Sequence, residues 1–143
     1  MLRTLTPDDF EQYIELLQQF RPSEKVVTRE VFEGFINIPN IKVWVYEDIV
    51  CKKIVGTVTI MYEQKLLFGG CVVGHIEDVC VHADYRGAGI GSILLQHVIK
   101  EAKEKQCYKI VLHCAKEVLP FYLANSFEER GVGCSMLLPV VKE

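Results

Sequence analysis

The fold is decided by the segment Gly74-His75-Ile76-Glu77-Asp78-Val79-Cys80-Val81 and by Tyr85-Arg86-Gly87-Ala88-Gly89-Ile90-Gly91-Ser92, which follows it closely. The first segment predicts an apolar strand, and the second predicts a glycine-rich turn inside which a helix begins. Glycine tolerates positive φ and lets the backbone come close to a ligand. The first amides of a helix have no partner within the helix, and the helix dipole favours anions there. Strand, turn and helix start therefore predict a cradle for a pyrophosphate group.

The spacing of the glycines separates this turn from two common nucleotide motifs. A dinucleotide fingerprint would need its third glycine where the chain has Ser92 or Leu94, and a P-loop would need Gly-Lys-Ser/Thr. The pattern Arg86-x-x-Gly89-x-Gly91 instead resembles the acyl-CoA loop of the Gcn5-related N-acetyltransferases (GNATs), whose backbone amides hold the CoA pyrophosphate. The alternative is a glycine-rich strand-to-helix turn that holds no ligand.

Length and composition exclude several other classes of protein. The 143 residues correspond to one domain, 1–143, and a net charge of −3 argues against nucleic acid or a membrane surface as the main partner. No stretch has the length and apolarity of a signal peptide or a membrane span. The six cysteines are dispersed without a C-x-x-C pair, and no His/Cys set has metal-ligand spacing. We therefore expect a cytoplasmic protein with reduced thiols and no metal.

Hydrophobic periodicity predicts the other elements of the chain. Helices are expected over residues 7–19, from 28 to before Pro39, over 89–105, and from 119 to about 125. Strands are expected over residues 42–47, 54–62, 71–81 and 109–114, the last of them buried, and the tail 128–141 is expected to be mostly extended. This order predicts an α/β protein with a mixed, mostly antiparallel sheet and helices on both faces, which is the element order of the GNAT fold.

The later part of the chain resembles one GNAT branch, the glucosamine 6-phosphate N-acetyltransferases. The matching residues are Lys65, Gly74-His75-Ile76-Glu77-Asp78-Val79, Tyr85-Arg86-Gly87-x-Gly89-x-Gly91, Cys107-Tyr108-Lys109-Ile110 and Pro120-Phe121-Tyr122. The resemblance implies acetyl transfer from acetyl-CoA to the 2-amine of glucosamine 6-phosphate, a step towards UDP-N-acetylglucosamine. It also implies a homodimer with exchanged C-terminal strands, and the apolar residues that fit such an interface are Val132, Met136, Leu137, Leu138 and Val140.

The resemblance assigns most of the candidate site to acetyl-CoA. Backbone groups of Val79, Cys80 and Val81 would meet the pantetheine as an added strand does. The pyrophosphate would be held by the amides of Gly87, Ala88, Gly89, Ile90, Gly91 and Ser92, with a charge from Arg86. Tyr122 would meet the leaving sulfur, with Leu123 and Ala124 beside it. A phenol titrates near 10 and a thiol near 8.5, so Tyr122 is expected to stabilise the thiolate by a hydrogen bond and to donate its proton fully only if its pKa is lowered.

The acceptor site is assigned to charged residues on strands. Glu77 and Asp78 are consecutive acids that would orient the amine or relay its proton, and a β-bulge is expected if both serve the site, since strand neighbours face opposite sides. Tyr108 and Lys109 would contact the sugar hydroxyls or phosphate, and Lys65 would face the phosphate.

Two positions depart from the pattern of that branch. The chain has Leu112-His113-Cys114 where the branch has an Asp after the Tyr-Lys-Ile strand, and His113 could replace that carboxylate as sugar anchor or proton acceptor. Near the C-terminus Pro139 stands where the branch has a phosphate-binding Arg, and Lys142 is close but out of register. Arg21, in the loop after the first helix, could supply the missing charge.

Every one of these residues also has a purely structural interpretation, as a core tyrosine, a strand-end ion pair or a solvated surface charge. Two alternative functions stay open. One is acetyl transfer to another amine, such as a peptide, a lysine or a polyamine. The other is a non-catalytic acyl-CoA sensor. Such a protein would bind CoA but show no turnover, so Tyr122→Phe would have no activity to lower.

Overall fold

The computed structural model describes residues 1–139, which belong to two compact units, Met1–Leu112 and the residues from His113 onward. The first unit is built on a sheet of five strands: β1 (Leu2–Thr4), β2 (Ile41–Asp48), β3 (Lys53–Gln64), β4 (Val72–Val81) and β5 (Lys109–Val111). The strands lie in chain order and are antiparallel, except that β4 and β5 are parallel. The prediction of a mixed, mostly antiparallel sheet is confirmed.

Capping residues in the sequence mark the starts of the first two helical segments. The first unit contains α1 (Phe10–Phe20), preceded by a 3₁₀ turn, α2 (Arg29–Ile36) and α3 (Ile90–Glu104), and the second contains α4 (Leu119–Ala124). The Thr6 amide donates to the Asp9 carboxylate over 2.9 Å, and the Val31 amide donates to the Thr28 hydroxyl over 3.2 Å. None of these described helices is both long enough and apolar enough to cross a membrane.

Helices cover both faces of the sheet, as two neighbouring residues of β3 demonstrate. A Cβ placed on Gly56 would lie 2.9 Å from Leu94 Cδ1 of α3. The Thr57 hydroxyl lies 3.5 Å from the Tyr13 hydroxyl of α1. Because adjacent strand residues point to opposite faces, α3 packs on one face and α1 on the other. The prediction of helices on both faces is confirmed.

The close approach of α3 to Gly56 leads to a testable prediction. In Gly56→Ala the new methyl group would also lie 3.0 Å from Ile90 Cγ2, so the core must shift, and we expect a loss of about 1–3 kcal/mol in the free energy of unfolding. Urea unfolding followed by circular dichroism measures it. The matched control is Gly34→Ala in α2, which meets no atom within 4 Å and should stabilise the protein slightly. Equal stability of the two variants would contradict this packing.

One expected strand needs correction, one strand was missed, and part of the expected tail lies outside the described residues. The strand expected over 109–114 ends at Val111, and it is not buried, since Lys109 is exposed and Ile110 and Val111 are only partly covered. The reason is that, within residues 1–139, β5 has a neighbouring strand on one side only. The short strand β1 was not predicted. The tail forms neither helix nor strand over residues 128–139, and Val140, Val141 and Lys142 lie outside the described residues.

Candidate active site

The glycine-rich turn forms an open cradle at the start of α3. Gly87 and Gly89 have φ of 85° and 81°, a conformation that favours glycine, and a Cβ on either would meet no atom within 4 Å. Gly89 caps α3, and its carbonyl accepts the Ile93 amide over 3.0 Å. The buried Ile90 side chain fixes the first turn against β3. The backbone around the first turn thus has room for an anion, and the turn fits the predicted pyrophosphate site.

The segment between β4 and the cradle is held by hydrogen bonds. The His82 amide donates to the Val55 carbonyl over 2.7 Å, and Arg86 Nε donates to the Val81 carbonyl over 3.3 Å. Arg86 is exposed, so its guanidinium stays beside the turn and in contact with solvent. This location suits the predicted charge contact with a pyrophosphate.

Strand β4 contains the β-bulge that the two consecutive acids predicted. Thr57 pairs with Cys80 and Thr59 pairs with Glu77, so two residues of β4 face one residue of β3, and Asp78 has a φ of 51°. Because of the extra residue, Glu77 and Cys80 lie on the same face of the sheet although they are three positions apart. Burial raises the pKa of the Cys80 thiol to about 12, with the Asp78 charge adding to the effect. Cys80 is therefore a poor nucleophile at neutral pH.

Beyond the bulge, β4 has an edge that β5 does not cover. The two strands pair only where Val73–His75 meet Lys109–Val111. Within the described residues, Cys80 and Val81 therefore pair with β3 alone, and Val79 lies in the bulge. An open strand edge is where an extended ligand adds as a further strand, so the geometry agrees with the predicted pantetheine contacts.

Charged side chains lie on the α1 face of the sheet, in line with Glu77. Glu63, Val73 and Lys109 are in register across three strands and so share this face. His75 Nε2 lies 2.8 Å from Glu63 Oε1, and this hydrogen bond holds the pKa of Glu63 below its usual range.

Lys65 belongs to the same group, with Nζ 3.4 Å from Glu63 Oε1. The structure therefore brings Lys65 and Lys109 to one end of this face, whereas Glu77 lies four positions along β4 from Val73, a separation of about 13 Å.

Two other predicted contacts of the sugar lie in the first unit. Tyr108 is 57% exposed, and its ring centre is 5.0 Å from that of Phe68 in the β3–β4 connection. Arg21 directly follows α1, and its guanidinium carbon lies 5.4 Å from the centre of the Phe20 ring. The role of Arg21 as a replacement phosphate ligand stays a prediction.

The second unit carries the tyrosine that the resemblance assigned to the leaving thiol. Tyr122 is 8% exposed, and its ring centre lies 5.0 Å from that of Phe121 and 5.9 Å from that of Phe127. Burial raises the pKa of Tyr122, so full transfer of its proton to a thiolate is more uphill than for a free phenol. A hydrogen-bonding role is therefore favoured. Its helix neighbours Leu123 and Ala124 are exposed.

His113 is exposed and lies against the tail of the second unit. A Cβ on Gly133 would be 2.8 Å from His113 Cδ2, so only glycine fits there without a shift. The tail thus restricts where the imidazole can lie. No group of three or more His, Cys, Asp or Glu side chains within residues 1–139 is arranged to hold a metal ion.

Residues 10–127 match the sequence model of the Acetyltransferase (GNAT) family, which is most of the chain. The chain belongs to this family. The GNAT fold expected from the sequence is thereby confirmed, and the cradle at Gly87–Gly89 occupies the place that the acyl-CoA loop was expected to take.

Curated relatives of this GNAT protein share one name. A glucosamine 6-phosphate N-acetyltransferase of Trypanosoma brucei brucei is 44% identical over 49% of this chain and 48% of its own length. Glucosamine 6-phosphate N-acetyltransferase 1 of Dictyostelium discoideum is 34% identical over 96% of this chain and 90% of its own. The chain thus aligns with about half the length of the first relative and with most of the second. The resemblance to this branch is confirmed.

Solved structures of GNAT proteins superpose on the chain closely. A Trypanosoma brucei acetyltransferase superposes with a TM-score of 0.89 at 30% identity. The match covers 96% of this chain and 99% of the Trypanosoma chain. The glucosamine-6-phosphate N-acetyltransferase of Arabidopsis thaliana also has a TM-score of 0.89, at 28% identity, with 97% and 98% covered.

Three features of the site were not found from the sequence of this GNAT protein. Glu63, which contacts both His75 and Lys65, is a carboxylate in an alternating strand, and only the β3–β4 register brings it to this face. Phe68, whose ring contacts that of Tyr108, has a positive φ. Because the residue is not a glycine, the sequence did not indicate this conformation. The approach of Gly133 to His113 could have been suspected only from an isolated glycine in the tail.

Proposed function

We propose that this chain transfers the acetyl group of acetyl-CoA to the 2-amine of glucosamine 6-phosphate, giving N-acetylglucosamine 6-phosphate and CoA. The observation that carries the proposal is the similarity along 96% of the chain to the Dictyostelium protein named for this reaction. The charge pattern on the α1 face of the sheet agrees with it, because Glu77 lies apart from Lys65 and Lys109, as suits an acceptor with an amine and a phosphate.

The acyl donor would bind along the open edge of β4 and at the start of α3. Backbone groups of Val79–Val81 would pair with the pantetheine amides, and the turn amides of residues 87–92, with Arg86, would hold the pyrophosphate. Acetyl-CoA supplies the thioester that is attacked. A backbone amide beside the bulge would polarise the thioester carbonyl and stabilise the oxyanion that develops on it.

The acceptor amine must be neutral to attack. An amine that titrates near pKa 8 is partly neutral at cellular pH, so positioning rather than a strong base would supply much of the rate. Glu77 and Asp78, at the bulge, would orient the amine and pass its proton to water. His113 is proposed as a further anchor or proton acceptor.

The phosphate would be held at the opposite end of the same face. Val73 and Glu77 of β4 lie about 13 Å apart. The side chains that extend from these two positions shorten the distance to one that a single amino-sugar phosphate would span. Lys65 and Lys109 would bind the phosphate, with Arg21 adding a charge and Tyr108 contacting the sugar hydroxyls.

The departing thiolate would be stabilised by the Tyr122 hydroxyl. As the thioester bond breaks, its electron pair moves to sulfur, which becomes an anion. A hydroxyl that stays protonated because its pKa is raised can donate a hydrogen bond to that anion throughout the neutral range. Solvent then provides the proton that yields free CoA.

The assembly and setting of the enzyme are part of the same proposal. Val132, Met136, Leu137 and Leu138 expose 73–98% of their surface, and we propose that they meet a second copy of the chain in a homodimer. The enzyme would act in the cytoplasm on a small molecule, with neither nucleic acid nor a membrane as partner. Its product would feed the synthesis of UDP-N-acetylglucosamine.

Substitution of the two lysines tests the assignment of the acceptor. Lys65→Met and Lys109→Met should each raise KM for glucosamine 6-phosphate about tenfold, because each removes a charge-assisted hydrogen bond to phosphate. KM for acetyl-CoA should stay the same. Steady-state assay of released thiol measures both constants.

The control for these variants is Lys100→Met on α3, whose side chain is 77% exposed. It should leave both constants unchanged. The assignment is contradicted if the lysine variants raise KM for unphosphorylated glucosamine as much as for the phosphorylated sugar.

A further inference from the structure

The β2–β3 hairpin contacts the residue that precedes the arginine of the cradle. The hydroxyl of Tyr85, in the 3₁₀ turn Ala83–Tyr85, donates to Asp48 Oδ2 over 2.7 Å. Asp48 ends β2, 37 positions earlier in the chain. The bond therefore links two connections, one between β2 and β3 and one between β4 and α3, that the sheet alone does not join.

The Asp48 carboxylate is itself held in place. Its other oxygen, Oδ1, accepts the Val50 amide over 3.0 Å within the hairpin turn. The hairpin is in turn bound to α1, because the Gln12 side chain accepts the Ile54 amide over 2.9 Å and donates to the Lys52 carbonyl over 3.2 Å. Tyr85 thus binds to an acceptor that the fold has already oriented.

The backbone just before Tyr85 is bound at two further points. The His82 amide donates to the Val55 carbonyl, and the Ala83 amide donates to Gln19 Oε1 over 2.8 Å. After Tyr85, the next residues are the exposed Arg86 and the open turn. Among these anchors, the Tyr85 side chain is the one that lies next to Arg86 in the sequence.

We propose that Asp48 and Tyr85 are positioning residues for acetyl-CoA, acting through Arg86 and the amides of the cradle. Neither needs to touch the ligand. Their hydrogen bond orders the entry to the turn before binding, so less conformational entropy is lost when the pyrophosphate is bound. The inference rests on the acetyl-CoA half of the proposed function and is independent of the acceptor.

The direction in which CoA affinity changes when Asp48 is removed distinguishes a positioning role from a simple charge effect. Asp48 carries a negative charge near a site for a polyanion, so its removal would strengthen CoA binding if charge alone mattered. If Asp48 positions the turn, its removal weakens CoA binding. Asp84 provides the matched control, because it is an acid in the same segment whose side chain is 81% exposed.

Calorimetric titration with CoA alone, without any acceptor, tests the proposal. Asp48→Ala and Tyr85→Phe should each weaken CoA binding roughly five- to tenfold, the size of a hydrogen bond worth about 1 kcal/mol or slightly more. The double variant should be no weaker than Asp48→Ala alone, because Asp48→Ala already removes the bond that Tyr85→Phe removes. Asp48→Asn keeps an acceptor oxygen and should recover part of the affinity, whereas Asp84→Ala should not weaken binding at all.

Trypsin cleavage after Arg86 gives a second measurement that needs no ligand. Both single variants should be cleaved there faster than the unmodified protein, although Tm should fall by only a few degrees. Unchanged affinity and cleavage, or additive losses in the double variant, would overturn the proposal while the proposed function stands. If the unmodified protein does not bind CoA, the proposed function fails together with it.

Discussion

Gly89→Val is expected to weaken CoA binding at least about 30-fold while the protein stays folded. A β-branched residue at a φ of 81° is strained by about 1–3 kcal/mol, and the strain falls on the residue that caps α3. Relief of the strain would rotate the amides of the first turn away from the cradle, and the added side chain would fill space meant for the pyrophosphate. Calorimetric titration with CoA measures the loss.

Gly131→Val is the matched control for this variant. Gly131 has a φ of 70°, and a Cβ there meets no atom within 4 Å, so valine introduces the same kind of backbone strain far along the sequence from the turn. CoA binding should be unchanged in this control. If both variants bind CoA equally well, the cradle is not the pyrophosphate site.

Tyr122→Phe is expected to lower kcat about 100-fold and to leave KM for both substrates within a factor of two. The change removes one hydrogen bond that forms only as charge develops on the leaving sulfur, and the loss of such a donor typically costs a factor of 10² to 10³. Steady-state kinetics measure it. The control is Tyr46→Phe in β2, which should leave kcat unchanged.

The pH profile of the unmodified enzyme tests the same role. Burial raises the pKa of Tyr122, so the hydroxyl keeps its proton at least up to its ordinary value near 10 and loses it only as pH rises through the higher folded value. We therefore expect kcat to show no loss from this group between pH 6 and 10. A Tyr122-dependent fall in kcat between pH 7 and 9 would contradict a hydrogen-bond donor with a raised pKa.

The elements that the sequence predicted well are those with strong local signals. The helix that begins after Gly89 and the hairpin of β2 and β3 have clear periodicity, and the consecutive acids Glu77 and Asp78 indicated the bulge before any pairing was known. The family resemblance rested on short motifs spread between Lys65 and Tyr122. Local sequence patterns therefore predicted the bulge and the glycine turn, on which the proposed nucleotide half of the site depends.

The remaining features depend on pairing between distant segments, which a local pattern does not contain. The prediction that residues 109–114 form a buried strand was wrong, because apolar content does not reveal whether a strand lies at the edge of a sheet. Strand β1 has only three residues and depends on β2 for its bonds. The bonds from His75 to Glu63 and from Tyr85 to Asp48 follow from strand register and hairpin geometry.

The most direct test of the central claim is an acceptor panel assayed by thiol release from acetyl-CoA, with glucosamine 6-phosphate beside glucosamine, spermidine and a lysine peptide. The account predicts efficient turnover with glucosamine 6-phosphate and far weaker turnover with the other three amines. Preferred turnover of spermidine or the peptide would contradict it, and CoA binding without turnover of any amine would indicate the acyl-CoA sensor instead.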